Sequence, residues 1–122
     1  RPLITVAGTM DALLPIDHHA RAYARKVAAE QAERGDDDEG DGKPAYRLYE
    51  VQNGNHIENY KTTGGPFPQL EFIEPHAQRA FDLLVNAVEN RAGLPPSQCI
   101  PHGGAIASSP TQPGHCANLF EP

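Results

Sequence analysis

Residues 2–27 read PLITVAGTMDALLPIDHHARAYARKV, and this stretch decides the fold. Leu3 to Ala7, LITVA, is a short apolar run with β-branched residues, ended by Gly8. Such a continuous run fits a buried strand, often a parallel one. From Asp17 to Arg34 the chain changes to DHHARAYARKVAAEQAER, rich in Ala, Arg and Glu, with Tyr23 and Val27 four apart. That pattern predicts a helix, with Asp17 as its N-cap and Gly35 as its terminator.

Further along, Ala45 to Val51 reads AYRLYEV. Its aromatic and β-branched content predicts a second strand, with Tyr46, Leu48 and Glu50 on one side and Ala45, Arg47, Tyr49 and Val51 on the other. Gln52 to Pro68 carries three glycines and two prolines and reads as loop. Glu74 to Gly93, EPHAQRAFDLLVNAVENRAG, predicts a second helix, with Pro75 at its first position and Gly93 beyond its end. Ala77, Ala80, Phe81, Leu84, Val85 and Val88 are expected to form its apolar stripe. The order is strand, helix, strand, helix, then an irregular tail, which is an α/β unit. It is incomplete by itself, because strands apolar on both sides need neighbouring strands and cover on both faces.

Composition narrows the functional classes. The chain has 122 residues, a length for one domain at most, with eleven glycines, twelve prolines and no tryptophan. No apolar run is long enough to cross a bilayer. A net charge of -6 argues against nucleic-acid and membrane-surface binding, both of which need a basic face. Most of that charge sits in one acidic loop over 35–43, GDDDEGDGK, whose spacing does not match an EF-hand calcium loop. Residues 1–93 form the α/β part and 94–122 a Pro/Gly-rich tail. Cys99 and Cys116, both in the tail, can close a loop as a disulfide or stand as two free thiols; a zinc site with His102 and His115 has an unusual spacing. The chain opens on Arg1 with no signal segment ahead of it, and reads as a piece of a larger protein.

The chemistry-bearing residues follow the two strands. Gly8-Thr9-Met10-Asp11 leaves the first, and Asn53-Gly54-Asn55-His56 leaves the second. In open α/β sheets, catalytic groups gather beyond the carboxyl ends of the strands. A carboxylate after one strand and a histidine after another can meet there. The acid then fixes the imidazole tautomer, and the histidine works as general base and acid.

Residues 2–27 resemble the penultimate strand and acid loop of the α/β-hydrolase fold. Residues 46–60, YRLYEVQNGNHIENY, resemble its last strand and histidine loop, with Gly54-Asn55-His56 in place of the family's Gly-x-His. The resemblance covers residues 2 to about 92, including the closing helix, and the order Asp then His is the family's. It implies the C-terminal part of a serine hydrolase acting on carboxylic esters, with Asp11 and His56 as two members of a Ser-His-Asp triad. Leu13, Leu14, Asn55, Ile57 and Tyr60 become candidates for the substrate pocket. The reaction calls for no cofactor.

One departure matters. No G-x-S-x-G nucleophile elbow occurs, and Ser97, Ser108 and Ser109 all lie in the tail beside prolines. The nucleophile and oxyanion donors therefore belong to a missing segment or a separate chain, the N-terminal remainder of the hydrolase, and this chain alone is expected to be inactive. Glu50 is the alternative acid, and Glu58 lies within reach of His56. His18 and His19 are adjacent on a helix and cannot form a same-face metal pair; His76 is expected to be peripheral. The competing function is a non-catalytic, hydrolase-like fragment that binds another protein. The cysteines point to a secreted or extracellular location if they are paired, and leave a cytoplasmic one open if reduced.

Overall fold

The two predicted strands lie side by side and parallel in a computed structural model, which describes residues 1–35, 45–62, 67–111 and 114–122. β1 (Leu3–Gly8) pairs with β2 (Tyr46–Val51) in the register Leu3 to Tyr46 through Gly8 to Val51. Register partners in a parallel pair project to the same side, so the two faces of the sheet follow directly. Ile4, Val6, Tyr49 and Val51 share one face, and Thr5, Tyr46, Leu48 and Glu50 the other. The acidic loop lies outside the described residues apart from Gly35.

Each face is covered by a different helix. α1 (Ala20–Glu33) lies over the Tyr46–Glu50 face, where Tyr23 meets Tyr46 edge to face at 5.5 Å and the Tyr46 hydroxyl donates to Thr5 Oγ1 at 3.1 Å. α1 begins two residues later than the sequence suggests, with His19 and not Asp17 at the N-cap position. Pro15 O accepts the amides of His18 and His19, and Ile16 is buried, so the chain makes a turn before the helix starts. Asp17 is not the cap; its carboxylate pairs with Arg21 one turn on. Gly35 ends the segment with φ +67°.

α2 (Asn59–Thr62) is a single turn within the expected loop. α3 (Glu74–Asn90) covers the opposite face, where Ala80 with Ile73 and Leu83 packs on Ile4, Val6, Tyr49, Val51 and Ile100. Burying an apolar side chain of this size contributes about 1.5–3 kcal/mol. The expected stripe is only partly the buried one: Ala80 is buried, but Phe81 is 65% and Val88 62% exposed. His76, expected at the periphery, is instead buried beneath the helix, and burial lowers its pKa against the opposing pull of Glu71. The left-handed residue at the end of α3 is Arg91, not Gly93.

The tail holds the largest departure from expectation. Gln98–Ile100 forms a third strand, β3, parallel to β2, giving the order β1-β2-β3. Three residues between prolines carry too little pattern to show as a strand in sequence. Side-chain bonds stand in for length: the Gln98 amide binds the Pro96 and Ala107 carbonyls and accepts from the Ala107 amide. Both connections step the same way across the sheet while α1 and α3 lie on opposite faces. The two crossovers therefore have opposite hands, and one departs from the usual right-handed rule.

Cys99 and Cys116 form a disulfide, which excludes the free-thiol and zinc alternatives. It ties the returning tail to β3 beside Glu50, a carboxylate with no solvent exposure. Glu50 is satisfied four ways: by Arg21 Nε at 2.8 Å and Nη2 at 2.7 Å, His115 Nδ1 at 2.7 Å, and the Cys116 amide at 2.8 Å. The hydrogen bond to Glu50 holds the Arg21 guanidinium protonated beyond its ordinary range. A buried carboxylate is tolerable only with such pairing.

Candidate active site

The loops leaving β1 and β2 are laced together by backbone. Thr9 N donates to Val51 O at 3.0 Å, and Met10 N donates to Gly54 O at 2.8 Å. Gly8 and Gly54 allow this approach: a Cβ on Gly8 would stand 2.3 Å from Gly54 O and 2.8 Å from Ile73 Cδ1. Asn53, at φ 61°, makes the left-handed turn that reverses the chain after β2. Asparagine is among the few non-glycine residues that visit this region readily.

On this frame, Asp11 and His56 meet. Asp11 Oδ2 lies 3.1 Å from His56 Nδ1. Asp11 Oδ1 accepts the amides of Leu13 at 2.9 Å and Leu14 at 2.8 Å, so the acid loop closes around its own carboxylate. The Asp11 side chain is 10% exposed and that of His56 50% exposed. One imidazole edge is thus held by a carboxylate and the other faces outward, an arrangement suited to taking a proton from an incoming hydroxyl.

The remaining candidates divide. Leu14 and Asn55 line an open groove of about 870 Å³ that also contains Asp11 and His56, whereas Leu13, Ile57 and Tyr60 do not line it. Asn55 Oδ1 accepts the Ile57 amide at 3.3 Å, shaping the turn after His56. Leu13 and Tyr60 are exposed. Glu58 lines the same groove but makes no bond to His56: its Oε1 accepts the Ile73 and Glu74 amides at 2.6 and 2.7 Å, capping α3 and tethering the histidine loop to it. Glu50, the alternative acid, pairs with Arg21 and His115 rather than His56. The sequence marked Gly54 within the Gly54-Asn55-His56 motif but gave no role to Thr9 and Asn53, which stand beside Gly8 and Gly54.

The groove has a telling shape. Its floor is the outer edge of β1, Thr5 to Gly8, and its walls include Ala22 and Tyr23 of α1 on one side and Ile73 and Glu74 on the other. Among the described strands, β1 has a neighbour on one side only. Among the described residues, no group of three or more His, Cys, Asp or Glu side chains is placed to hold a metal, and no helix is long and apolar enough to cross a membrane.

Comparison with known proteins fits this architecture. The family model described as 3HB-oligomer hydrolase matches residues 1–118. The chain is 32% identical over 113 residues to a D-(-)-3-hydroxybutyrate oligomer hydrolase of Burkholderia cenocepacia, and 33% identical over 113 residues to one of Burkholderia thailandensis. Each match covers 90% of this chain but 15% of the relative, so the chain spans about one-seventh of their length. No solved structure matches at comparable significance. A small parallel sheet between helices, the paired Asp11 and His56, and similarity over nearly the whole chain lead to one conclusion: this chain belongs to the 3HB-oligomer hydrolase family.

Proposed function

We propose that the chain supplies the acid and the histidine of a Ser-His-Asp triad, as the C-terminal part of a longer α/β-hydrolase that cleaves esters of hydroxybutyrate oligomers. The carrying observation is the 3.1 Å contact between Asp11 Oδ2 and His56 Nδ1, at the ends of adjacent parallel strands, with the imidazole half exposed. His56 takes the proton of a serine hydroxyl as that oxygen attacks the ester carbonyl, then returns it to the leaving alcohol. Asp11 holds the imidazole and stabilises its cationic form.

The serine comes from the remainder of the protein. Ser97 is engaged in the fold, its hydroxyl accepting the Leu48 amide at 3.0 Å. The groove along β1 supports the same reading, since a strand edge with no partner among the described residues, lying between two helices, is a seat for another strand. The nucleophile and oxyanion donors would enter from that side, next to His56. The oligomer substrate is taken from what the relatives' names say of those proteins. The disulfide suits a secreted or extracellular enzyme.

The test is His56→Ala in the full-length enzyme, assayed on 3-hydroxybutyrate dimer and trimer. Turnover should fall by about 10³-fold or more, as loss of a triad member does. Undiminished turnover would leave the chain a non-catalytic, hydrolase-like module.

A further inference from the structure

The C-terminal strap, residues 114–122, crosses back over the ends of β1 and β2 after its disulfide to β3. Beyond Cys116, its backbone is gripped at three points. Gln52 Nε2 donates to Asn118 O at 3.0 Å. The Thr9 hydroxyl donates to Leu119 O. Asn53 binds Glu121 through both ends of its side-chain amide: Oδ1 accepts the Glu121 amide at 2.7 Å, and Nδ2 donates to Glu121 O. Nδ2 also reaches Gln69 O at 3.0 Å.

These gripping residues belong to the dyad's loops. Thr9 stands two residues before Asp11, and Asn53 three before His56. They also bind each other, since the Asn53 backbone N–H donates to Thr9 Oγ1 at 2.9 Å. One hydroxyl therefore joins the acid loop, the histidine loop and the strap. Thr9 is 4% and Asn53 0% exposed. Water has little access to replace any of these partners, and an orphaned buried polar group is costly enough to make the loops rearrange.

With Asp11 and His56 read as acid and base, we infer that Thr9 and Asn53 are positioning residues. They transmit the register of the disulfide-anchored strap to the Asp11–His56 pair. The strap fixes both loops at once, adding to the bonds the loops make directly with each other: Thr9 N to Val51 O, Met10 N to Gly54 O and Asn53 N to Thr9 Oγ1. Loss of the strap leaves the fold's sheet intact and loosens the dyad.

The experiment uses the full-length enzyme, with active sites counted by a p-nitrophenyl phosphonate that captures the nucleophilic serine. Three changes are compared: Thr9→Val, Asn53→Gly (which keeps the left-handed turn and deletes the amide), and Cys99→Ser combined with Cys116→Ser. Each should lower kcat per titrated site by about tenfold or more, with KM for hydroxybutyrate trimer unchanged, because small displacements of catalytic groups act on the chemical step. Thr9→Ser, which restores the hydroxyl, should recover the parent kcat. A merely structural role would reduce the number of titratable sites and leave kcat per site within twofold of the parent; that result overturns the inference. If Thr9→Val yields no titratable sites, the paired serine substitution decides alone. His56→Ala is the control: an active His56→Ala enzyme refutes the dyad, whereas an inactive one beside normal strap variants refutes only the strap's role.

Discussion

Gly8→Ala places the sharpest demand on the site. A methyl group there would sit 2.3 Å from Gly54 O, 2.4 Å from Gly54 C and 2.8 Å from Ile73 Cδ1. The isoleucine can turn aside, but Gly54 is backbone. Relief to 3.0 Å, a separation that real contacts rarely undercut, needs the two loops to part by about 0.7 Å. Met10 N to Gly54 O, now 2.8 Å, would then be broken or bent, and Asp11 to His56, now 3.1 Å, would pass beyond hydrogen-bond range. Overpacking of this kind costs about 1–3 kcal/mol of stability. Misplacing catalytic groups by a comparable distance costs about 10²-fold in rate. On the proposed function, the assay is kcat on hydroxybutyrate trimer together with denaturation of the full-length protein, with Gly93→Ala as reference, since a Cβ at Gly93 meets nothing within 4 Å. Gly8→Ala with kcat within twofold of the parent, and stability equal to Gly93→Ala, would refute the claim that the Gly8–Gly54 approach sets the dyad.

Other outcomes follow from the same geometry. Arg21→Leu should destabilise by about 3–5 kcal/mol in urea melts, because it removes the buried Glu50 carboxylate's cationic partner and two of its four hydrogen bonds. Arg21→Lys should recover little of that loss, since lysine cannot reproduce the two-pronged contact. Stability should fall as pH drops below the ordinary histidine range. Burial lowers the folded pKa of His76 below its unfolded value, against the opposing pull of Glu71, and the unfolded chain therefore binds the proton first as pH falls. Denaturation of His76→Leu and parent across pH 7 to 5 should show a shallower acid slope in the variant; equal slopes would count against this. Removing the Cys99–Cys116 link, whose partners are 17 residues apart, should cost about 3 kcal/mol, read as a lower midpoint in denaturant.

The strands and long helices were legible because each rests on a local signal. LITVA and YRLYEV carry strand propensity and little else, and Pro75 with an Ala-rich, Leu-rich run marks α3. Helix starts and faces were less legible. Ile16 is buried and Pro15 accepts the following amides, so the turn before α1 is set by packing rather than by Asp17's capping tendency. The stripe of α3 was misread at Phe81 and Val88 because periodicity shows that a face is apolar, not what covers it. In the site, Asp11 and His56 announced themselves by residue type and by following strands. Thr9 and Asn53 looked like ordinary turn residues, because their partners lie 68 residues away or more in the strap.

By itself, the sequence determined an α/β unit with an acid after one strand and a histidine after the next, since those features depend on neighbours a few residues apart. Tertiary structure alone decided the rest. It placed Asp11 against His56 through two glycines that let backbones touch. It made Glu50 a buried strut paired with Arg21 and His115, and made a strand of three tail residues. All of these depend on contacts between segments far apart in the chain, and local propensity carries no information about which distant groups will supply the missing hydrogen bonds.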